Sequence, residues 1–284
     1  MSKKTVQLAI SYDFDGTLAP GNMQEHSFIP ELGINVSDFW AEVKKIAKDN
    51  DMNEILAYMQ LMLEKGHEKK VKISKSAFRE HGKKIQFFKG VEEFFDMINA
   101  YAKSKGAHID HYIISSGLRD ILQGTSIAKH FKLMFASGYK FDIHDVAEWP
   151  ALAVDYTNKT QYLFRINKGI DNAFDNSKIN KFMPEDERPM PFKNMIYIGD
   201  GETDIPAMKM TKLNGGTSIA VYDANKRKTK THRSAKEVCQ SLIEEERADY
   251  IAAADYSDDS SLVKVIKLTI DRIVAHEELK QYKK

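Results

Sequence analysis

Apolar residues fall into two alternating rhythms along the chain, short unbroken runs and longer stretches with helical spacing. Val6 to Tyr12 is too apolar and β-branched for a surface loop and too short for a helix of normal length. It reads as a buried strand. Comparable short runs are His111-Tyr112-Ile113-Ile114, Leu133 to Ala136, Asn194 to Ile198, Ser218 to Tyr222 and Tyr250 to Ala253. Between them lie helical patterns: Val91, Phe94, Phe95, Ile98 and Ala102; Tyr162, Leu163 and Ile166; Ala207 to Met210; Ala235 to Glu245; and Ser260 to His276. Leu118, Ile121 and Leu122 are expected to open a further helix, and 138–150 alternates weakly, as a hairpin carrying Trp149 would. Strands alternating with helices predict an α/β fold, a Rossmann-like, mostly parallel sheet covered on both faces.

The alternation is interrupted once, between residues 20 and 87, where only helical patterns occur. Ser37 is placed to cap a helix over Phe39, Trp40, Val43, Ile46 and Ala47. A second helix uses Met52, Ile55, Leu56, Met59, Met62 and Leu63, with Gly66 expected to end it, and a third starts near Ser74. Three short helices bury too little for a separate domain. The expected organisation is therefore a core of 1–19 and 88–284 with a small helical cap over 20–87. Residues 171–193 are polar and contain Pro184, Pro189 and Pro191, which predicts a long surface excursion.

Composition narrows the class. The 284 residues are 42% hydrophobic and 29% charged with a formal net charge of +1, so bulk electrostatics favour neither nucleic acid nor an anionic membrane. The basic run Lys226-Arg227-Lys228 is short enough to be a solvated loop. The single Cys239 excludes an internal disulfide framework, and no apolar run has the length of a membrane span; both fit a cytoplasmic protein.

Chemistry concentrates at strand ends. Asp13 and Asp15 follow the first strand on one side of an extended chain, with Gly16 and Thr17 after them. Two like charges so close need a cation between them or a proton on one. Ser115-Ser116-Gly117 follows the second strand, and Asp200 and Asp204 follow the strand at Asn194 to Ile198. Ser115 could also simply cap the next helix, and Asp204 could be a first-turn acid favoured by the helix dipole. Carboxylates with backbone oxygens are hard ligands suited to magnesium, while a hydroxyl, backbone donors and a lysine suit phosphate oxygens.

These residues resemble the motifs of the haloacid dehalogenase superfamily of phosphohydrolases. Asp13-Phe14-Asp15-Gly16-Thr17 is similar to its first motif, Ile113-Ile114-Ser115 to its second, a lysine to its third and Gly199-Asp200-Gly201-Glu202-Thr203-Asp204 to its fourth. The resemblance implies Asp13 as nucleophile, Asp15 as general acid and base, and magnesium on the Asp13 carboxylate, the Asp15 carbonyl and Asp200, supported by Asp204. It further implies phosphate contacts from Gly16, Thr17, Ser115, Ser116, Gly117 and the lysine. Lys159, at a helix start, is favoured for that role over Lys168 in Asn167-Lys168-Gly169, which looks like a helix end. Glu25 and His26 are either substrate contacts or surface residues of the cap. The expected activity is hydrolysis of a small phosphorylated metabolite. The helical cap and Ser115-Ser116-Gly117-Leu118 are most similar to phosphoserine phosphatases, although no counterpart of their cap arginine is evident. The alternatives are a phosphoserine phosphatase proper, a phosphomutase or phosphotransferase, and a catalytically silent regulator.

Overall fold

The structure, a computed structural model, describes residues 5–226, 234–280 and 282. Arg227 and Lys228 of the basic run lie outside the described residues. The chain order is β1 (Val6–Tyr12), α1 (Phe28–Glu31), α2 (Val36–Asp49), α3 (Glu54–Lys69), α4 (Lys75–Gly82), α5 (Val91–Ser104), β2 (Ala107–Leu118), α6 (Arg119–Leu122) and β3 (Phe131–Phe141). It continues with β4 (Ala147–Leu152), α7 (Lys159–Lys168), α8 (Asn176–Asn180), β5 (Met195–Gly199), α9 (Ile205–Leu213), β6 (Thr217–Tyr222), α10 (Ala235–Glu244), β7 (Tyr250–Ala253) and α11 (Ser261–Lys280).

The strands form one seven-stranded sheet in the order β4-β3-β2-β1-β5-β6-β7, parallel except for the β3–β4 hairpin. β1 is central. The chain leaves it through β2 and β3 on one side and returns to β5 on the other, so the strand order reverses beside the end of β1. A crevice opens at such a switch point. Leu8 to Tyr12 have no solvent-accessible surface. Their alternation divides two cores: Leu8, Ile10 and Tyr12 pack with α5 and α11, whereas Ala9 packs with α7, α9 and α10.

The helical segment shares the first of these cores, because Phe39, Met59 and Phe78 join the cluster of Tyr12 and Phe94. It is also pinned to the β3–β4 hairpin. Tyr139 donates its hydroxyl to the Met59 carbonyl at 2.7 Å, its ring stacks on Phe78, and Ala147 N–H donates to the Ile73 carbonyl at 3.0 Å.

Several local expectations change. Asn35, not Ser37, stands at the N-cap of α2. Gly66 lies inside α3, which ends at Lys70 in the left-handed conformation; a Cβ on Gly66 would come within 2.5 Å of Ile73 Cγ2, so the glycine serves close packing. β2 runs on through Ser115 to Leu118 with an irregular register against β3, and the helix after it is a single turn. Among the described residues no helix is long and apolar enough to cross a membrane.

Under the sheet, Tyr12 and Asn99 hold His111 in one tautomer. Tyr12 O–H donates to Nδ1 at 3.0 Å, and Nε2–H donates to Asn99 Oδ1 at 3.0 Å. Burial, reinforced by His130 and His108, pushes the imidazole down to about 3 from an ordinary 6.5. The unfolded chain therefore takes up this proton first. The contribution is complete above 6.5 and is lost as pH falls from there toward the folded value, by about 1.4 kcal/mol per unit. In urea titrations His111→Gln should flatten the fall in stability between neutrality and about pH 5 by about 2 kcal/mol. An unchanged slope would place the acid sensitivity elsewhere.

Candidate active site

The first loop is built by the end of β1. Asp13 N–H still pairs with the Ile198 carbonyl of β5 at 2.9 Å, and the Phe14 carbonyl then accepts the N–H groups of Thr17 and Leu18. Phe14 is buried against Phe87, which leaves its neighbours Asp13 and Asp15 to face the opposite side. Gly16 has φ +72°, and a Cβ there would lie 2.0 Å from Asp200 Oδ2. Only glycine permits both that backbone and that approach. The loop is tied down through the Thr17 carbonyl, which accepts the Tyr256 hydroxyl at 2.9 Å. The Thr17 hydroxyl itself is buried with no hydrogen-bond partner among the described residues, so its carbonyl and not its side chain secures the loop.

Lys159, the first residue of α7, is 1% exposed, with Nζ 3.0 Å from Asp13 Oδ1 and 2.7 Å from Asp204 Oδ1. Asp204 Oδ1 also accepts the Tyr197 hydroxyl at 2.7 Å, and its Oδ2 accepts the Asp200 N–H at 3.2 Å. Its oxygens are thus engaged in holding Lys159 and the Asp200 backbone. Lys168 stands at the other end of α7 and donates to the Lys181 carbonyl at 2.7 Å. Its amine thus holds carbonyls of the 171–193 excursion and makes no ion pair with Asp13.

Asp15 is held by a different partner, its Oδ1 accepting Met23 N–H at 2.8 Å. Its Oδ2 approaches Gly117, where a Cβ would sit 3.2 Å from it and 2.0 Å from Met23 Cε. Ser115 is fully buried and its Oγ accepts the Gly117 N–H at 3.0 Å, which shapes the bulged end of β2. It does not cap α6. Ser116 and Gly117 line a cavity of about 610 Å³ whose floor holds Asp13, Asp15 and Asp200 and whose cover carries Trp40 and Tyr58. A second cleft of about 780 Å³ lies at the opposite strand ends, beside Val6, Gly106 and Asn194, and contains none of these residues.

Glu25 lines the first cavity, but its carboxylate accepts Asn22 Nδ2 and the Trp40 indole N–H. His26 is held between the Pro20 carbonyl and Gln86 N–H. Both brace the cap.

The electrostatics are lopsided. Four carboxylates, of Asp13, Asp15, Asp200 and Asp204, crowd around the buried Lys159 ammonium, with Lys44 and Lys226 also lining the cavity. Burial raises Asp13 to about 7 against the pull of Lys159. It likewise pushes Asp15 up, helped by the charge of Asp13, and Asp200 up, helped by Asp204 and Asp13. Burial alone would lower Lys159, yet Asp13 and Asp204 hold it above its ordinary value. Ligand oxygens of Asp13, Asp200 and Asp204 come within 4.8 Å of one another. Excess buried negative charge on hard oxygen donors fits a divalent cation such as magnesium. The Asp15 carboxylate is outside that trio.

Four contributors were not legible beforehand: Tyr58, which donates to the Ser116 carbonyl at 2.7 Å; Tyr197; and Asn53 with Asp155, joined at 2.6 Å. Of these only Tyr197 carried a signal, as a phenol inside a buried strand that needs a partner for its hydroxyl.

The sequence profile of the haloacid dehalogenase-like hydrolases matches residues 10–209. A protein of Borreliella burgdorferi described as uncharacterized is 30% identical over 293 residues, covering 92% of this chain and 96% of that one. Among solved structures, a HAD family hydrolase from Salmonella enterica serovar Typhi superposes with a TM-score of 0.55 at 16% identity, over 92% of this chain and 70% of that one. A phospho-aspartyl intermediate analogue of phosphoserine phosphatase superposes with a TM-score of 0.52 at 17% identity, over 93% and 99% of the two chains. At these identities the superpositions show a shared fold.

Proposed function

Because this chain belongs to the haloacid dehalogenase-like hydrolase family, we propose that it hydrolyses a small phosphate monoester through a phosphoaspartyl intermediate on Asp13. The observation that carries this reading is the placement of Asp13 at the switch point, held by Lys159, with Asp15 beside the same cavity. An Asp13 carboxylate oxygen attacks phosphorus while the bond to the leaving oxygen breaks, and Asp15 gives that oxygen its proton. In the second step the Asp15 carboxylate takes a proton from water, the water oxygen attacks phosphorus, and the Asp13–phosphorus bond breaks to release phosphate. Burial of Asp15 suits the first step, since it favours the protonated acid. A magnesium ion on Asp13, Asp200 and the Asp15 carbonyl would supply positive charge against the phosphoryl oxygens. Asp204 would stay behind it, holding Lys159 and the Asp200 N–H. Ser116 lines the cavity opposite and is the candidate donor there, while Ser115, whose Oγ takes the Gly117 N–H, shapes that strand end behind it. The cavity volume suits a small metabolite with the phosphate at its floor.

The test is release of inorganic phosphate from an aryl phosphate. Excess chelator should lower the rate at least about 100-fold and added magnesium should restore it. Activity indifferent to both treatments, or no release at all, would refute the reading. Isomer exchange without net phosphate release would indicate a mutase instead.

A further inference from the structure

The strongest feature outside the reacting groups is a contact between segments 102 residues apart, where α3 of the cap meets the loop that delivers Lys159. Asn53 stands at the N-cap of α3: its Oδ1 accepts Ile55 N–H at 2.9 Å and Leu56 N–H at 3.2 Å. This leaves the amide Nδ2 to donate to Asp155 Oδ2 at 2.6 Å. Asp155 in turn closes the loop before α7. Its Oδ1 accepts Asn158 N–H at 3.3 Å, its own N–H donates to Asn158 Oδ1 at 2.9 Å, and its carbonyl accepts Lys159 N–H at 3.1 Å. On the same helix, Tyr58 donates to the Ser116 carbonyl. The first half of α3 therefore makes one hydrogen bond to the end of β2 and one to the loop before Lys159.

We propose that Asn53 and Asp155 are positioning residues that couple seating of the cap to placement of Lys159 between Asp13 and Asp204. The proposal rests on the phosphatase reading for its kinetic consequence but not for its structural one. With the contact made, the first turn of α7 is fixed at both its backbone and its Asp155–Asn158 side-chain closure. With it broken, the loop before α7 loses its tie to α3, and any shift of its first turn moves the Lys159 ammonium relative to Asp13 and Asp204; misplacement by about 1 Å can cost about 100-fold in rate.

The chemistry of the pair allows a reciprocal exchange. Asn53→Asp keeps a good N-cap, because aspartate caps as well as asparagine, but it sets two carboxylates against each other. Adding Asp155→Asn restores every bond: the new amide still accepts Asn158 N–H through oxygen and donates through nitrogen to position 53. Asn53→Asp should lower kcat on an aryl phosphate about 10- to 50-fold with a smaller change in KM, and the double exchange should return it to within about threefold of the parent. Hydrogen exchange supplies a readout independent of activity: backbone amides over 155–163 should exchange at least about tenfold faster in the single variant and regain protection in the double. Unchanged exchange in Asn53→Asp, or a double exchange no better than the single, would overturn the coupling. Absence of phosphate release by the parent would instead count against the phosphatase reading and leave the exchange experiment to decide the coupling.

Discussion

Asp13→Asn is expected to reduce phosphate release by at least about 10⁴-fold while leaving the fold in place. Asparagine has the volume of aspartate, and its oxygen can still meet the Lys159 ammonium now 3.0 Å from Asp13 Oδ1. It lacks the nucleophilic carboxylate, so no acyl phosphate can form. Thermal stability should change little, because the substitution removes one of several carboxylates crowded into a site where burial already raises Asp13 to about 7. Phosphate release and a thermal melt on the same preparation check this. A variant that melts normally and still turns over would remove Asp13 from the chemistry.

Lys159→Met is the second large effect, and it should strike both rate and stability. The rate should fall about 10²- to 10³-fold, the scale for losing one positioned donor to a developing oxyanion. The stability loss follows from burial. Lys159 is 1% exposed, and removing its charge leaves Asp13 and Asp204 facing one another without the cation between them. Breaking a buried pair in this way costs about 3–5 kcal/mol. Lys159→Arg should not restore the rate, because at this fully buried position the larger, planar guanidinium would place its charge and donors differently from the ammonium. Lys168→Met is the control: it should keep kcat and loosen only the 171–193 excursion, whose carbonyls Lys168 now holds. Chemical unfolding and kcat/KM on all three variants make the comparison. Loss of rate in Lys168→Met with none in Lys159→Met would reverse the assignment.

What could be read from the chain follows the range of the forces involved. The apolar run Val6–Tyr12 and the spacing of Val91, Phe94, Phe95 and Ile98 are local patterns, and both elements appear where those patterns lie. Asp13, Asp15 and Asp200 were visible because each stands directly after such a strand. The end of β2 differs from its local pattern: Ser115-Ser116-Gly117 has the composition of a turn, whereas pairing with β3 carries the strand through an irregular register to Leu118. Gly66 looked like a stop, yet its lack of a side chain serves contact with Ile73. Asn53 and Asp155 left no local trace, because their hydrogen bond depends on how the cap docks. The choice between Lys159 and Lys168 rested on which end of a helix each occupied. The ion pairs with Asp13 and Asp204 place Lys159 at the carboxylates.

The division of labour between Asp13 and Asp15 can be tested by making the second half of the reaction fail. Asp15→Asn keeps the nucleophile but removes the base that activates water, and an aryl leaving group needs little help from an acid. Mixed with magnesium and an aryl phosphate, quenched in acid and digested, this variant should carry one phosphoryl group on the peptide containing Asp13, accompanied by a stoichiometric burst of phenol. The adduct should be absent when Asp13→Asn is added. A burst with no phosphorylated peptide, or an adduct on any residue other than Asp13, would contradict the account.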